Sequence, residues 1–212
     1  IGDWDGVLSR VGADLAGWMQ AGAVPAERVV GTAGLAVPRA TPGGASEVAR
    51  RKASIAAGST DVERWANPEQ LEAAWERRSV QASNWIPAGA TVLDVGCGAM
   101  RLERHLPVGC EYLPCDVVRR DRRTTVVDLN DAPLPQAVLA RADVVALLGV
   151  WEYLYDPARL MAQLRAAGKT VVCSYCTTEG SAHLDRRGLG WVNDFSLEGF
   201  VRLAEEAGYA VR

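Results

Sequence analysis

The sequence predicts an α/β protein: a doubly wound, mostly parallel sheet over residues 67–212, preceded by a helical and irregular extension over 1–66. Three observations carry this expectation. Short apolar, β-branched runs recur at Thr91–Val95, Glu111–Asp116, Thr124–Asn130, Ala142–Leu148 and Lys169–Tyr175, with the length and composition of strands buried in a parallel sheet. Helix-like segments separate several of these runs, as parallel neighbours require. Turn chemistry stands where the runs end, first as Asp94-Val95-Gly96-Cys97-Gly98.

Taken in order, residues 1–22 place Trp4, Val7, Leu8, Val11, Leu15 and Trp18 on one broad side and predict an amphipathic helix. Pro25, Pro38 and Pro42 forbid a long helix over 23–46, so that stretch reads as an irregular linker with a short strand near 28–37. A further helix is expected from Ser46 to Ala57. This first third shows no recognisable chemistry and reads as a packing appendage, a lid or a partner-binding arm. Asn67-Pro68-Glu69 opens the next helix: Asn caps, Pro suits the first turn and Glu favours the helix dipole. Leu71, Trp75 and Val80 give its inward stripe, and Pro87 ends it.

Val92, Leu93 and Val95 form the first strand of the main domain. Gly96 and Gly98 break it, because glycine accepts the positive φ of a tight turn. Leu102 and Leu106, four residues apart, predict a helix after the turn. This arrangement brings backbone N–H groups to a ligand at the carboxyl end of a strand. The next strand ends in Asp116, 18 residues beyond Gly98, the spacing at which a carboxylate can accept from both hydroxyls of a bound ribose. The third ends in Asp128-Leu129-Asn130. The fourth is apolar enough to be central and runs into Gly149-Val150-Trp151-Glu152-Tyr153. Asp156-Pro157 starts a helix that Gly168 ends, with Leu160, Met161 and Leu164 inward. After the fifth strand comes a long polar loop over 177–195, a place where substrate sites are built. Ser196 caps a last helix with Phe200 and Leu203 inward, and Gly208–Val211 opens a sixth strand.

Composition narrows the function. A net charge of −3 gives no reason to expect nucleic acid as the partner. Arg119, Arg120, Arg122 and Arg123 cluster, but Asp121 interrupts them; a solvated loop and an anion-binding edge are both open readings. The longest apolar run, Val144–Trp151, is too short to cross a bilayer, so no membrane association is expected. Nothing at the N-terminus looks like a signal peptide. Five cysteines lack the spacing of a disulfide framework, and Cys173-x-x-Cys176 falls in a strand-like run, so a reducing cytoplasm and no metal are expected.

Residues 91–106 resemble motif I of the class I S-adenosylmethionine-dependent methyltransferases, a hydrophobic strand followed by Asp-x-Gly-x-Gly-x-Gly. Asp94, Gly96 and Gly98 match, and Met100 replaces the last glycine. The resemblance covers about 67–212. It implies a cofactor site of Asp94, Gly96, Cys97, Gly98 and Gly149, with Asp116 on the ribose and Asp128 and the backbone of Leu129 at the adenine. It also implies a methyl-transfer site lined by the segment after the fourth strand. Trp151, Tyr153, Trp191 and Asn193 are expected around the acceptor. Glu152 and His183 are the candidate bases, and His105 is expected to face away. The family fold normally adds a seventh, antiparallel strand, which here is expected to be missing or to lie beyond a truncated piece. The implied function is S-adenosylmethionine-dependent methyl transfer to a small-molecule or glycan-like acceptor, at oxygen. The absence of an Asn-Pro-Pro-Tyr-like motif disfavours base methylation of nucleic acid. Two rivals stay open: a non-catalytic S-adenosylmethionine-binding module or scaffold, and a nucleotide-binding oxidoreductase. Met100 disfavours the latter, because a third glycine lets helix and strand pack closely beside a pyrophosphate.

Overall fold

The computed structural model describes residues 28–31 and 44–212. The helix expected over 1–22 and the prolines at 25, 38 and 42 lie outside the described residues. The chain builds β1 (Arg28–Gly31), α1 (Ala45–Ala56), α2 (Val62–Ala66), α3 (Glu76–Ser83), β2 (Thr91–Val95), β3 (Glu111–Asp116) and β4 (Thr125–Val126). It continues with α4 (Gln136–Arg141), β5 (Val144–Leu148), α5 (Pro157–Ala166), β6 (Thr170–Ser174), α6 (Leu197–Glu206) and β7 (Ala210–Val211).

The strands join in one sheet in the order β4-β3-β2-β5-β6-β1-β7. Every pairing is parallel, so no antiparallel strand occurs among the described residues. The short strand expected near 28–37 is β1, and it sits between β6 and β7. In β2, alternation sorts side chains by face. Leu93 and Val95 join Val145, Leu147 and Val171 in a core closed by Leu160, Met161 and Leu164 of α5 and Phe200 of α6. Val92 joins Val144, Ala146 and Val172 on the opposite face, under Ala82 of α3, Ile86 and Leu102. The central strands are buried on both faces, the doubly wound arrangement expected from their composition.

Several caps follow the sequence. Ser196 Oγ accepts from Gly199 N at 2.9 Å, and Asp156 Oδ1 accepts from Arg159 N at 3.0 Å. Other elements depart from expectation. The segment after the glycine turn is a 3₁₀ turn, Leu102–His105, rather than a helix. Gly98 and Met100 both take left-handed φ, 50° and 53°, so the chain is still reversing where a helix would have to begin, and Pro107 follows closely. The helix expected from Asn67 resolves into two 3₁₀ turns, Pro68–Gln70 and Ala73–Trp75, followed by α3. Val80, expected inward, is 44% exposed, and the buried positions of α3 are Ser79 and Ala82. The strand expected over 124–130 shrinks to two residues, because the Asp128 carboxylate accepts from Asn130 N at 3.0 Å and turns the chain. Helices α2 and α4 have no counterpart in the sequence reading. No helix among the described residues is long and apolar enough to cross a membrane.

Candidate active site

Parallel pairing puts the carboxyl ends of β2, β3 and β5 side by side: Val95 lies opposite Cys115 and Leu147. The glycine turn leaves β2 there, and Gly96 N and Cys97 N both donate to Cys115 O, at 2.8 and 3.1 Å. Gly96 has φ 70°, and a Cβ on it would lie 2.4 Å from Val150 Cγ2. Gly149 has φ 72°, and a Cβ there would lie 2.0 Å from Arg78 Nη1. Gly96 is therefore required by backbone conformation and by the approach of Val150, while at Gly149 the positive φ is the constraint, since the tip of Arg78 is free to move aside.

Above these strand ends opens a cavity of ≈ 210 Å³. Its floor is acidic. Asp94 is 3% exposed and its Oδ2 accepts from Tyr112 OH at 2.7 Å. Burial raises its pKa to about 7, with the Asp116 charge adding to the shift and the Tyr112 hydrogen bond opposing it. Asp116 is 5% exposed and well partnered. One oxygen accepts from Gly98 N at 2.8 Å; the other accepts from Val118 N at 3.0 Å and from Arg120 at 3.2 Å. Asp116 thus staples the glycine turn to the end of β3. Asp128 accepts from Thr60 Oγ1 at 2.8 Å and, with Leu129, lines the same cavity.

Glu152 stands on a 3₁₀ turn, Trp151–Tyr153, directly after β5. It is 1% exposed, and one oxygen accepts from Cys176 N at 2.8 Å. The other oxygen is buried with no hydrogen-bond partner, and the residue lines the cavity. Burial raises its pKa above the ordinary carboxylate range. One oxygen anchored and one free is a geometry suited to taking a proton.

The cavity gathers Asp94, Gly96, Cys97, Gly98, Asp116, Asp128, Leu129, Gly149, Glu152, Tyr153 and Trp191 of the sequence-derived candidates. Three others lie elsewhere. Trp151 is fully buried in the core, edge-on to Phe200 at 5.6 Å. Asn193 is a brace: its Nδ2 donates to Trp151 O and Leu154 O, and its Oδ1 accepts from Tyr175 OH. His183 is exposed in the long loop and does not line the cavity. Arg186 explains that loop's polarity, since its guanidinium donates to Cys176 O, Asn193 O and Tyr175 OH and pairs with Asp194.

The roof joins Tyr153 and Trp191 to residues the sequence reading gave no role, Arg51, Arg64, Trp65 and Arg78. Arg51 of α1 and Arg64 of α2 donate to Gly188 O and Leu189 O, at 3.1 and 2.7 Å, and tie residues 45–66 to the long loop. Trp65 packs edge-on to Tyr153 at 4.9 Å, and Trp191 Nε1 donates to Tyr153 OH at 3.1 Å. Arg78 of α3 stacks over Trp75 at 5.0 Å. Arg120, from the basic cluster, donates to Trp65 O at 2.9 Å as well as to Asp116, while Arg123 pairs with Asp121 and Glu103 on the exterior. All five cysteines are free, and Cys173 and Cys115 are buried, with thiols pushed up to about 12.

Compared with known families, residues 68–212 match the profile of a methyltransferase domain. The chain belongs to the methyltransferase-domain family. Its sheet carries the 3-2-1-4-5 strand order of a class I methyltransferase in β4-β3-β2-β5-β6. Among solved structures the methyltransferase is similar to a chain of the complex between the Haloferax volcanii Trm112 methyltransferase activator and a methyltransferase, with TM-score 0.51, 17% identity, and 74% and 75% of the two chains covered. A second is the Mesorhizobium loti S-adenosylmethionine-dependent methyltransferase, with TM-score 0.44, 18% identity, and 66% and 83% covered. A third is Haemonchus contortus phosphoethanolamine N-methyltransferase 2 in complex with S-adenosyl-L-methionine, with TM-score 0.43, 16% identity, and 64% and 36% covered. No curated protein matches the chain.

Proposed function

We propose that this methyltransferase binds S-adenosylmethionine over the carboxyl ends of β2, β3 and β5 and transfers its methyl group to an oxygen of a small-molecule acceptor. The observation that carries the reading is the arc of carboxylates Asp94, Asp116, Asp128 and Glu152, gathered around the two-glycine turn in one cavity. The donor set fits the cofactor. A ligand with an ammonium, a sulfonium, a ribose and an adenine amino group offers cations and donors, and the floor offers acceptors. Asp116 takes the ribose hydroxyls, and Asp128 with the backbone of Leu129 meets the adenine. Asp94 faces the cationic methionine end, and Arg78, bedded over Gly149, holds its carboxylate.

S-adenosylmethionine supplies a methyl group already activated on sulfur. The chain's own residues align the acceptor, exclude water and take its proton. Glu152 is the proposed base: one oxygen is anchored on Cys176 N and the other is buried without a hydrogen-bond partner, in a residue that lines the cavity and whose pKa burial raises. Tyr153, Trp191 and Trp65 supply the apolar wall against which an acceptor body packs. A cavity of ≈ 210 Å³ suits a small acceptor.

Isothermal titration with S-adenosylhomocysteine on wild type and Gly96→Val tests the binding step. Wild type should bind, and the variant should lose binding while keeping its secondary structure. Equal affinity in the two, or no binding to wild type, would overturn the assignment of the floor.

A further inference from the structure

The roof and the floor of the cavity carry opposite charge, and one roof charge, that of Arg64, lacks a carboxylate partner. Arg64 is 7% exposed. One of its terminal nitrogens donates to Leu189 O, its Nε is buried without a partner, and no carboxylate among the described residues lies within ion-pair distance of it. Asp61, which caps its helix, accepts from the Arg64 backbone and faces Arg50 at 3.5 Å. Arg51, 3% exposed, is better compensated: it donates to Gln70 Oε1 at 3.0 Å and pairs with Glu47 at 3.5 Å, with its Nε buried without a partner. Both arginines line the cavity. The Arg64 guanidinium lies 4.3 Å over the Trp65 ring and 5.6 Å from the Tyr153 ring, so an aromatic wall surrounds it. Glu72 is the other acid of the cavity wall, and it pairs with neither arginine.

Holding an uncompensated guanidinium away from water is costly, and a single carbonyl offsets only part of that cost. Arg51 and Arg64 also repel one another, as the lowered pKa of Arg51 beside Arg64 reflects after burial itself. A structural latch to Gly188 and Leu189 would need only neutral donors. A planar guanidinium with free N–H groups facing a cavity is instead the group that binds carboxylate or phosphate.

We propose that the acceptor is an anionic small molecule whose carboxylate or phosphate is received by Arg64, with Arg51 behind it, while its body packs against Trp65 and Tyr153. This rests on the reading of the cavity as a methyl-transfer site, and it names the substrate class. The acidic floor would repel such an anion, so acceptor and cofactor are sorted to opposite ends of the same cavity. That sorting leaves the acceptor body near Tyr153 and Glu152.

Benzoate and inorganic phosphate serve as probes, and benzamide as the uncharged control. Each is titrated into wild type, Arg64→Gln and Arg64→Lys, with and without saturating S-adenosylhomocysteine. Wild type should bind at least one anion at least about tenfold more tightly than Arg64→Gln does, with Arg64→Lys between them, because a charged hydrogen bond is lost. Benzamide should not distinguish the variants, and S-adenosylhomocysteine affinity should stay within about threefold, which also shows that the variants are folded. Preference for benzoate or phosphate tells which anion the site takes. Anions that bind all three proteins equally, or none, would overturn the proposal. So would an Arg64→Gln defect in S-adenosylhomocysteine binding alone, since Arg64 would then serve the cofactor. Anion binding without any S-adenosylhomocysteine binding would leave the anion site standing and sink the cofactor reading instead.

Discussion

The floor and the roof of the cavity are built in opposite ways. The floor is made of strand ends and the turns that leave them. Asp94, Gly96, Gly98 and Asp116 lie within 23 residues of one another, and backbone pairing of β2 with β3 fixes their relation. The roof joins residues far apart in sequence: Arg51 reaches Gly188 across 137 positions, and Arg64 reaches Leu189 across 125. The floor is rigid because sheet hydrogen bonds hold it, whereas the roof is held by a few side-chain contacts to loop carbonyls. On the proposed reading, cofactor binding falls to the part held by the sheet, and acceptor choice to the part that can be rebuilt without disturbing it.

The sharpest way to break this division is at Glu152, where floor and roof meet. Glu152→Gln keeps the shape and the contact to Cys176 N but removes the proton acceptor. Methyl transfer to an acceptor found by panel screening should fall by about a hundredfold or more, with S-adenosylhomocysteine affinity within about threefold. A fall in affinity with turnover intact would move Glu152 from base to cofactor ligand.

Asp116 sharpens the floor side. Asp116→Asn retains an oxygen that can accept from Gly98 N but weakens the proposed ribose contact, and should cost about tenfold in S-adenosylhomocysteine affinity. Asp116→Ala also removes the staple on the turn, so it should cost more in affinity and lower the melting temperature as well. Equal effects of the two substitutions would mean that the turn does not depend on Asp116. Calorimetry with thermal unfolding separates the cases.

Asp94 adds a pH signature of similar size. Its folded pKa, about 7, lies above the ordinary carboxylate value, so the free folded protein holds a proton that the unfolded chain has released. Stability from this group is fully present below about pH 4 and is lost as pH rises toward 7. Binding of a cationic ligand end favours the ionised form, so S-adenosylhomocysteine affinity should rise by about tenfold between pH 6 and pH 8. Asp94→Asn should flatten that rise and remove the acid-to-neutral loss of stability. A pH-independent wild-type affinity would place the ammonium elsewhere.

The same contrast explains what could be read from the sequence. Residues 91–116 announce strand, turn and acid in local order, and β3 has the bounds expected of it. The Ser196 and Asp156 caps are legible for the same reason. Met100 was readable as a missing glycine, but not as a residue that keeps the glycine's φ, 53°, and thereby denies the following segment a helix. The roof left little local signal. Arg51 and Arg64 look like the solvated faces of short polar helices, and only tertiary contacts bury them. Arg78 lies one turn from Trp75, a spacing that pairs cation with ring, yet its bed on Gly149 is invisible without the fold. The 177–195 loop was legible as important and not as to which residue matters: Leu189 and Trp191 reach the cavity, Asn193 braces the turn after β5, and Gly188 O receives Arg51.

The smallest expected effects come from the two loop residues that chemistry alone would have favoured, and they differ in kind. Asn193 joins the turn after β5 to Tyr175. Asn193→Ala would leave the Trp151 and Leu154 carbonyls and the Tyr175 hydroxyl short of partners, a loss of about 2 kcal/mol in stability. Its effect on turnover should follow from that looseness and be recovered at lower temperature. His183 is exposed and outside the cavity wall, and an exposed side chain without a structural contact changes little when it is removed. His183→Ala should therefore leave melting temperature, S-adenosylhomocysteine affinity and methyl transfer each within about twofold or its thermal equivalent. A tenfold or larger fall in turnover at unchanged stability would mean that residues 181–185 fold over the acceptor when both substrates are bound. The roof would then be a moving part, and the base would have to be sought there rather than at Glu152.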